Sequence, residues 1–339
     1  MSAPQGAPGS GATAAVRTVL GDVPAGSLGR VDYHEHLFQV SPLLPGDELD
    51  DEAASEREAG LLRASGFTAM VDATPTGLGR RPAALAAISA RTGLTVVGTT
   101  GAHRSAHYPG QTWLLDASVE ELTARFRRDV VDGMPVADGP DGAGAERARG
   151  PAGAPVRAGL LKAGVDYWRV DGFSRRVLAA LAVVHGETDA PVMVHLEHGS
   201  AGFEVLDLLA ADGVPADAVA LAHVDRNPDP GLHADLAAAG AYLGYDGPAR
   251  HASWPDSVLL ACLVEAAARG ARERLLLGGD VARASRYPSY GGMPGLAYLA
   301  QRFLPRLEAE GGAELADAVT RSNPARWLGR FSITDAELT

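Results

Sequence analysis

Six side chains able to bind a cation or move a proton are spread along this chain: His34, His36, Lys162, His195, His223 and Asp280. The first two stand two apart in "VDYHEHLFQV". Alternate residues of a strand point the same way, so these imidazoles project side by side. One buried histidine is usually a hydrogen-bonded core residue, and a pair points to a metal only if further ligands join it. Histidines and a carboxylate from separate strands can surround a divalent cation; zinc and several other first-row metals accept such donors. Lys162 is the odd member. An ammonium has no lone pair and repels cations. At the centre of such a site it must be neutral or chemically changed, and carbamylation by carbon dioxide would turn it into an anion able to bridge two metals.

Such residues need a scaffold that gathers distant strand ends. Short β-rich runs ("GRVDYHEH", "FTAMVDAT", "LTVVGTT", "VRAGLLKAG", "PVMVHLEH", "AVALAHVD", "AYLGYDG", "RLLLGGD") alternate with amphipathic stretches such as "SVEELTARFRRDVV" and "GFSRRVLAALAVVHGE". Strand-then-helix alternation predicts a parallel sheet covered by helices, and eight strands predict an α/β fold closed as a (β/α)8 TIM barrel. No glycine-rich dinucleotide fingerprint follows the first strand, which argues against a doubly wound sheet. All six residues fall at or near the C-terminal ends of their apolar runs, the ends that meet around a barrel's mouth.

The expected organisation is one barrel domain over 17–330, with a flexible N-terminal tail over 1–16 and a C-terminal tail over 331–339. A Gly/Ala/Pro-rich stretch at about 136–155 precedes the fourth strand and reads as a mobile insertion at the end opposite the chemistry. The 339 residues are 46% hydrophobic and carry a formal net charge of -12. That suits a sizeable core, and without a basic cluster it argues against nucleic acid as a partner. A lone cysteine, Cys262, makes no internal disulfide and implies a reducing compartment. No signal-peptide pattern and no run of ~18 apolar residues is present, so the expected location is the cytoplasm with no membrane partner. The expected partner is a small-molecule substrate, and a homodimer is the first assembly to expect.

The motifs "HEHLF", "LLKAG", "VMVHLEHG", "ALAHVDRNPDP" and "LLLGGD" resemble those of the phosphotriesterase-like enzymes of the amidohydrolase superfamily, over about Thr18 to Arg330. The resemblance implies two divalent metal ions, expected to be Zn2+. His34, His36 and Asp280 would hold the more buried one and His195 and His223 the more exposed one. Lys162, carboxylated on its Nζ by CO2, and a hydroxide would bridge them. Asp280 would be the catalytic proton carrier. "GTTGAHRSAHYPG", "YDGPARHASWPDS" and "GDVARASRYPSYGGMPGL" look like the branch acting on sugar lactones, some phosphorylated. There Arg250 and Arg283, assisted by Tyr290, would grip an anionic group. Two departures stand out: Ala252, where the related pattern often has a lysine, and "VDYWRVDG" after the fourth strand.

The resulting expectation is a hydrolase whose bridging hydroxide attacks a lactone carbonyl. The alternatives are an amide or phosphoester hydrolase on the same centre, or an inactive small-molecule binding barrel. Other polar residues receive ordinary readings. His103 and His107, in the loop after the third strand, are expected as solvated residues, with a place lining the pocket as the alternative; His198 is expected as a support of the ligands at most, and Glu35 as structural. Tyr167, Trp168 and Trp254 are expected to pack in the core, with an apolar pocket wall as the alternative.

Overall fold

The computed structural model describes residues 12–140 and 144–334. Eight strand positions form the barrel: Val31–Glu35, Ala69–Asp72, Thr95–Val97 with Thr99–Gly101, Leu160–Val165, Val192–Leu196, Val219–Ala222, Tyr242–Tyr245 and Leu275–Leu277. Every ladder between them is parallel. The third strand breaks at Gly98, so its first half pairs with the second strand and its second half with the fourth. The ring closes where the Asp280 N–H, just past the eighth strand, donates to His34 O (2.9 Å) on the first. The chain is thus the (β/α)8 barrel expected from the alternation of its apolar runs.

Parallel strands covered by helices are buried on both faces and read as near-continuous apolar runs. "LLKAGV" and "VMVHL" are buried at every position. Helices follow the strands over Glu52–Ala64, Pro82–Thr92, Val119–Val131, Gly172–Thr188, Gly202–Ala211, Pro230–Ala238 and Asp256–Ala266. Several start on acceptor side chains that satisfy orphan N–H groups: Asp51 to Ala54, Ser118 to Glu121 and Asp171 to Ser174. Gly244 is needed for close approach, since a Cβ there would sit 1.8 Å from the Tyr33 hydroxyl. That clearance lets Tyr33 cross the barrel interior beneath the site.

Three expectations change where the chain is described. Ala12–Thr18 is a strand, paired antiparallel with Gly21–Pro24 on one side and Phe331–Thr334 on the other. The segments expected as tails therefore form a small sheet, with Ala15, Val16 and Phe331 buried; residues 1–11 and 335–339 lie outside the described residues. The insertion is hydrogen-bonded rather than loose. Bridges join Pro135 to Arg147 and Arg149 to Pro155, and Met134, Ala148 and Val156 are buried. Asp138 accepts from Arg80 and from the Gly77 N–H, tying it to the loop after the second strand rather than leaving it to the opposite end; 141–143 are outside the described residues. Among the described residues no helix is long and apolar enough to cross a membrane.

Candidate metal centre

The barrel brings all six expected residues to one mouth, lining a cavity of about 280 Å³. His36 Nε2 lies 3.4 Å and His34 Nε2 3.7 Å from Asp280 Oδ1. Donors about 2.0–2.1 Å from one tetrahedral ion stand roughly 3.3–3.4 Å apart, so these atoms are spaced as ligands of a single cation. Lys162 Nζ is 3.2 Å from His34 Nε2 and donates to Ala73 O at 3.0 Å. His195 and His223 stand edge to face beside this set, ring centroids 4.4 Å apart. His223 also reaches within 3.8 Å of Asp280 Oδ2.

The other nitrogens of these rings are held by residues that sequence reading missed. Asp246 accepts from His34 Nδ1 (3.1 Å) and His223 Nδ1 (2.6 Å), and from the Tyr33 hydroxyl. His36 Nδ1 meets Thr74 Oγ1 at 2.6 Å, and that hydroxyl donates to Phe38 O. His195 Nε2 meets Glu197 Oε2 at 2.9 Å. Such outer partners fix the tautomer and aim of a metal-binding imidazole. Asp246 ends the seventh strand, so the strand-end rule that found the other six also applies to it.

Electrostatics keep the donors available. Burial pushes His34, His36 and His223 down to about 4, with Lys162 adding to the shift at the first two and Arg226 at the third. Their lone pairs are therefore free at neutral pH. Burial also lowers Lys162, to about 8, against the pull of Asp280, Asp246 and Asp72. Burial raises Asp280, but Arg250, His34, His36 and His223 outweigh it and hold the carboxyl well below its usual range. One consequence is measurable by NMR on the metal-free protein. Groups that titrate near 4 are almost wholly neutral well above it, so the ring resonances of His34, His36 and His223 should move by no more than about a tenth of their full titration shift between pH 7.5 and 5. A titration midpoint near 6.5 for any of them contradicts this charge state.

The substrate-side expectations divide. Arg250 is half-buried against Asp280, its guanidinium on the carboxylate and on the backbone O. Arg226, which the sequence did not single out, donates to the same carboxylate at 3.2 Å. Arg283 lines the rim, 3.5 Å from Asp47. Tyr290 is not brought to the cavity: its hydroxyl meets the Asp51 backbone and Ser55 Oγ at the start of the first helix. His103 and His107, expected in solvent, line the cavity instead, because the loop after the third strand folds inward. The His103 ring lies tilted against those of His195 and His107, with centroids 4.4 and 3.9 Å away. His198 is exposed and pairs with Glu197 at 3.5 Å. Glu35 accepts from the Val281 N–H, a structural use.

The comparisons agree with this geometry. The model of the phosphotriesterase family matches residues 14–328. A phospho-furanose lactonase of Mycoplasmopsis synoviae is 28% identical over 331 residues, covering 92% of this chain and 91% of that protein. The crystal structure of a lactonase from Listeria monocytogenes superposes with a TM-score of 0.83 at 28% identity, covering 93% of this chain and 99% of that one. The phosphotriesterase homology protein of Escherichia coli, solved with phosphate in its active site, gives a TM-score of 0.77 at 26% identity over 89% of this chain and 99% of that one. Because the match runs nearly end to end and takes in every strand that bears a donor, the chain belongs to the phosphotriesterase family.

Proposed function

We propose that this chain is a metal-dependent hydrolase that opens a lactone ring, with a sugar lactone as its substrate class. The observation carrying the metal-dependent reading is the spacing of His34 Nε2, His36 Nε2 and Asp280 Oδ1 at the mouth of the barrel. The lactone reading rests on the relatives, two of which are named as lactonases. His34, His36 and Asp280 would hold one ion and His195 and His223 a second, with a carbamylated Lys162 between them; Zn2+ fits these donors. Bound there, the ions supply Lewis acidity and bring the pKa of a shared water toward neutrality. Asp280, held ionised by its neighbours, would take the proton of the attacking water and pass it to the ring oxygen as the C–O bond breaks.

Four arginines reach the cavity: Arg104, Arg226, Arg250 and Arg283. Arg104 is engaged by Asp166 and Glu197, and Arg226 and Arg250 by Asp280. Arg283, with 41% of its side chain exposed, has the loosest partner and is the one placed to meet an anionic substituent. Arg283→Ala should raise KM about tenfold more for a phosphorylated lactone than for its neutral counterpart, the scale of one charge-assisted hydrogen bond at a wet rim. An equal rise for both removes the anion clamp. Arg250→Ala should affect both substrates, because Arg250 also sets the charge of Asp280.

The direct test is a panel of sugar lactones, acyl amides and organophosphate esters, offered to the metal-loaded protein with its metal content measured. Two ions per chain with selective lactone turnover supports the proposal. Selective amide or phosphoester turnover replaces the substrate class, and tight binding without turnover makes the barrel a binding protein.

A further inference from the structure

The segment after the fourth strand, "VDYWRVDG", supplies no candidate metal ligand to the centre described above and meets it through Asp166 on Arg104. It forms one wall of an open groove of about 1020 Å³, and the start of helix Gly202–Ala211 with the turn before it forms another. Ligand pockets generally span about 300–1,000 Å³. The catalytic cavity sits at the small end of that range and the groove at the large end. The two spaces adjoin, since Arg104, Glu197 and Arg226 line both.

Tyr167 and Trp168 do not pack in the core. They are 60% and 63% exposed and stand edge to face, 6.4 Å apart. Burying both would have removed a large apolar area from water, so leaving them out forgoes stability. The backbone holds Trp168 there at φ +49°, unusual for a bulky residue. Asp166 and Arg169 close the turn by exchanging backbone hydrogen bonds, and Ser200 Oγ accepts from the Trp168 N–H at 3.0 Å. Strained φ values gather at functional sites. Of the eight non-glycine residues with positive φ among the described residues, His223, Asp280 and Ala282 line the catalytic cavity, and Trp168, His198 and Ala201 line the groove. Around the exposed rings stand polar side chains with planar ends: Asp166, Arg169, Glu204 and Asn227.

Aromatic faces that meet C–H groups, ringed by planar donors and acceptors, suit a sugar ring. An alkyl chain would cover Arg169, Glu204 and Asn227 without offering them a hydrogen bond. Resting on the lactonase reading, the geometry points to this groove as a second sugar subsite, with Trp168 as its platform: the substrate is a lactone carrying a further sugar unit, its lactone ring in the cavity and the second ring on Trp168.

The test uses gluconolactone and the disaccharide lactone cellobionolactone with the metal-loaded full chain. The wild-type protein should prefer the disaccharide lactone by about tenfold in kcat/KM, expressed in KM. Trp168→Ala should cut that preference about tenfold, the scale of one aromatic stacking contact, and Trp168→Phe should restore most of it. No preference in the wild type, or one that Trp168→Ala leaves intact, overturns the subsite. A Trp168-dependent preference for long-chain alkyl lactones overturns the sugar as occupant. Calorimetry with cellobionate and gluconate separates this proposal from the reaction. Tighter, Trp168-dependent binding of cellobionate supports the subsite even if no lactone is turned over, which would sink only the lactonase reading. Equal binding of the two acids overturns the subsite alone.

Discussion

Asp280→Asn in the metal-loaded protein should lower kcat by about 10²–10⁴, the usual worth of a positioned proton carrier, and leave a folded barrel. Retention of the fold follows from the backbone, because the Asp280 N–H closes the barrel onto His34 O through main-chain atoms. The residue also sits at φ +42°, a region that asparagine tolerates as well as aspartate. What changes is charge. The amide cannot take a proton from water, and the guanidinium groups of Arg250 and Arg226 lose the carboxylate between them. Two uncompensated cations at the mouth also oppose a metal, so metal content should be measured beside turnover and circular dichroism. Near-normal turnover in this variant, with two ions bound, removes Asp280 from proton transfer.

How far the sequence disclosed this site depends on how local each feature is. Strand periodicity is local, and so is the position of a polar residue at a strand's end. His34, His36, Lys162, His195, His223 and Asp280 could therefore all be placed at one mouth before any coordinates. Asp246 obeys the same rule but sits in "YDG", where Asp followed by Gly reads as a turn. Two of its partners, His34 and Tyr33, lie more than 200 positions away, and the third, His223, is at the end of the neighbouring strand. The terminal sheet was hidden for the same reason. "ATAAVRT" is small and weakly patterned, and its partner strand is Phe331–Thr334 at the other end of the chain. The insertion looks structureless by composition, yet it is anchored by Asp138 on Arg80, a buried ion pair between distant segments. Tyr290 shows the converse error. It stands near Arg283 in sequence, but its hydroxyl turns toward Asp51 and Ser55 on the first helix. For Tyr167 and Trp168, composition favours burial, and only the closed turn from Asp166 to Arg169 sends them outward.

Lys162 gives the second large effect. It is 1% exposed, and its Nζ lies between His34 Nε2 and the Ala73 carbonyl. With a pKa near 8, about a tenth of the side chains are neutral at pH 7. A neutral amine adds to carbon dioxide: an N–C bond forms, one proton leaves, and an anionic carbamate remains. That change converts a group repelling metals into one holding them, so removing the amine should remove the second ion. Lys162→Met keeps most of the volume without the nitrogen. It should bind fewer than two metals and lose about 10³-fold in kcat, roughly 4 kcal/mol of barrier. Lys162→Ala leaves a void in the same place, and a short carboxylate such as propionate should enter it and recover part of the activity. Propionate should do nothing for Lys162→Met, whose side chain fills the void; that contrast distinguishes a missing carboxylate from a damaged core. In the wild-type protein, metal loading should be faster with added bicarbonate, and 13C-bicarbonate should give a carbamate signal that Lys162→Met lacks. Two tightly bound ions and full turnover in Lys162→Met would show that the centre assembles without this side chain.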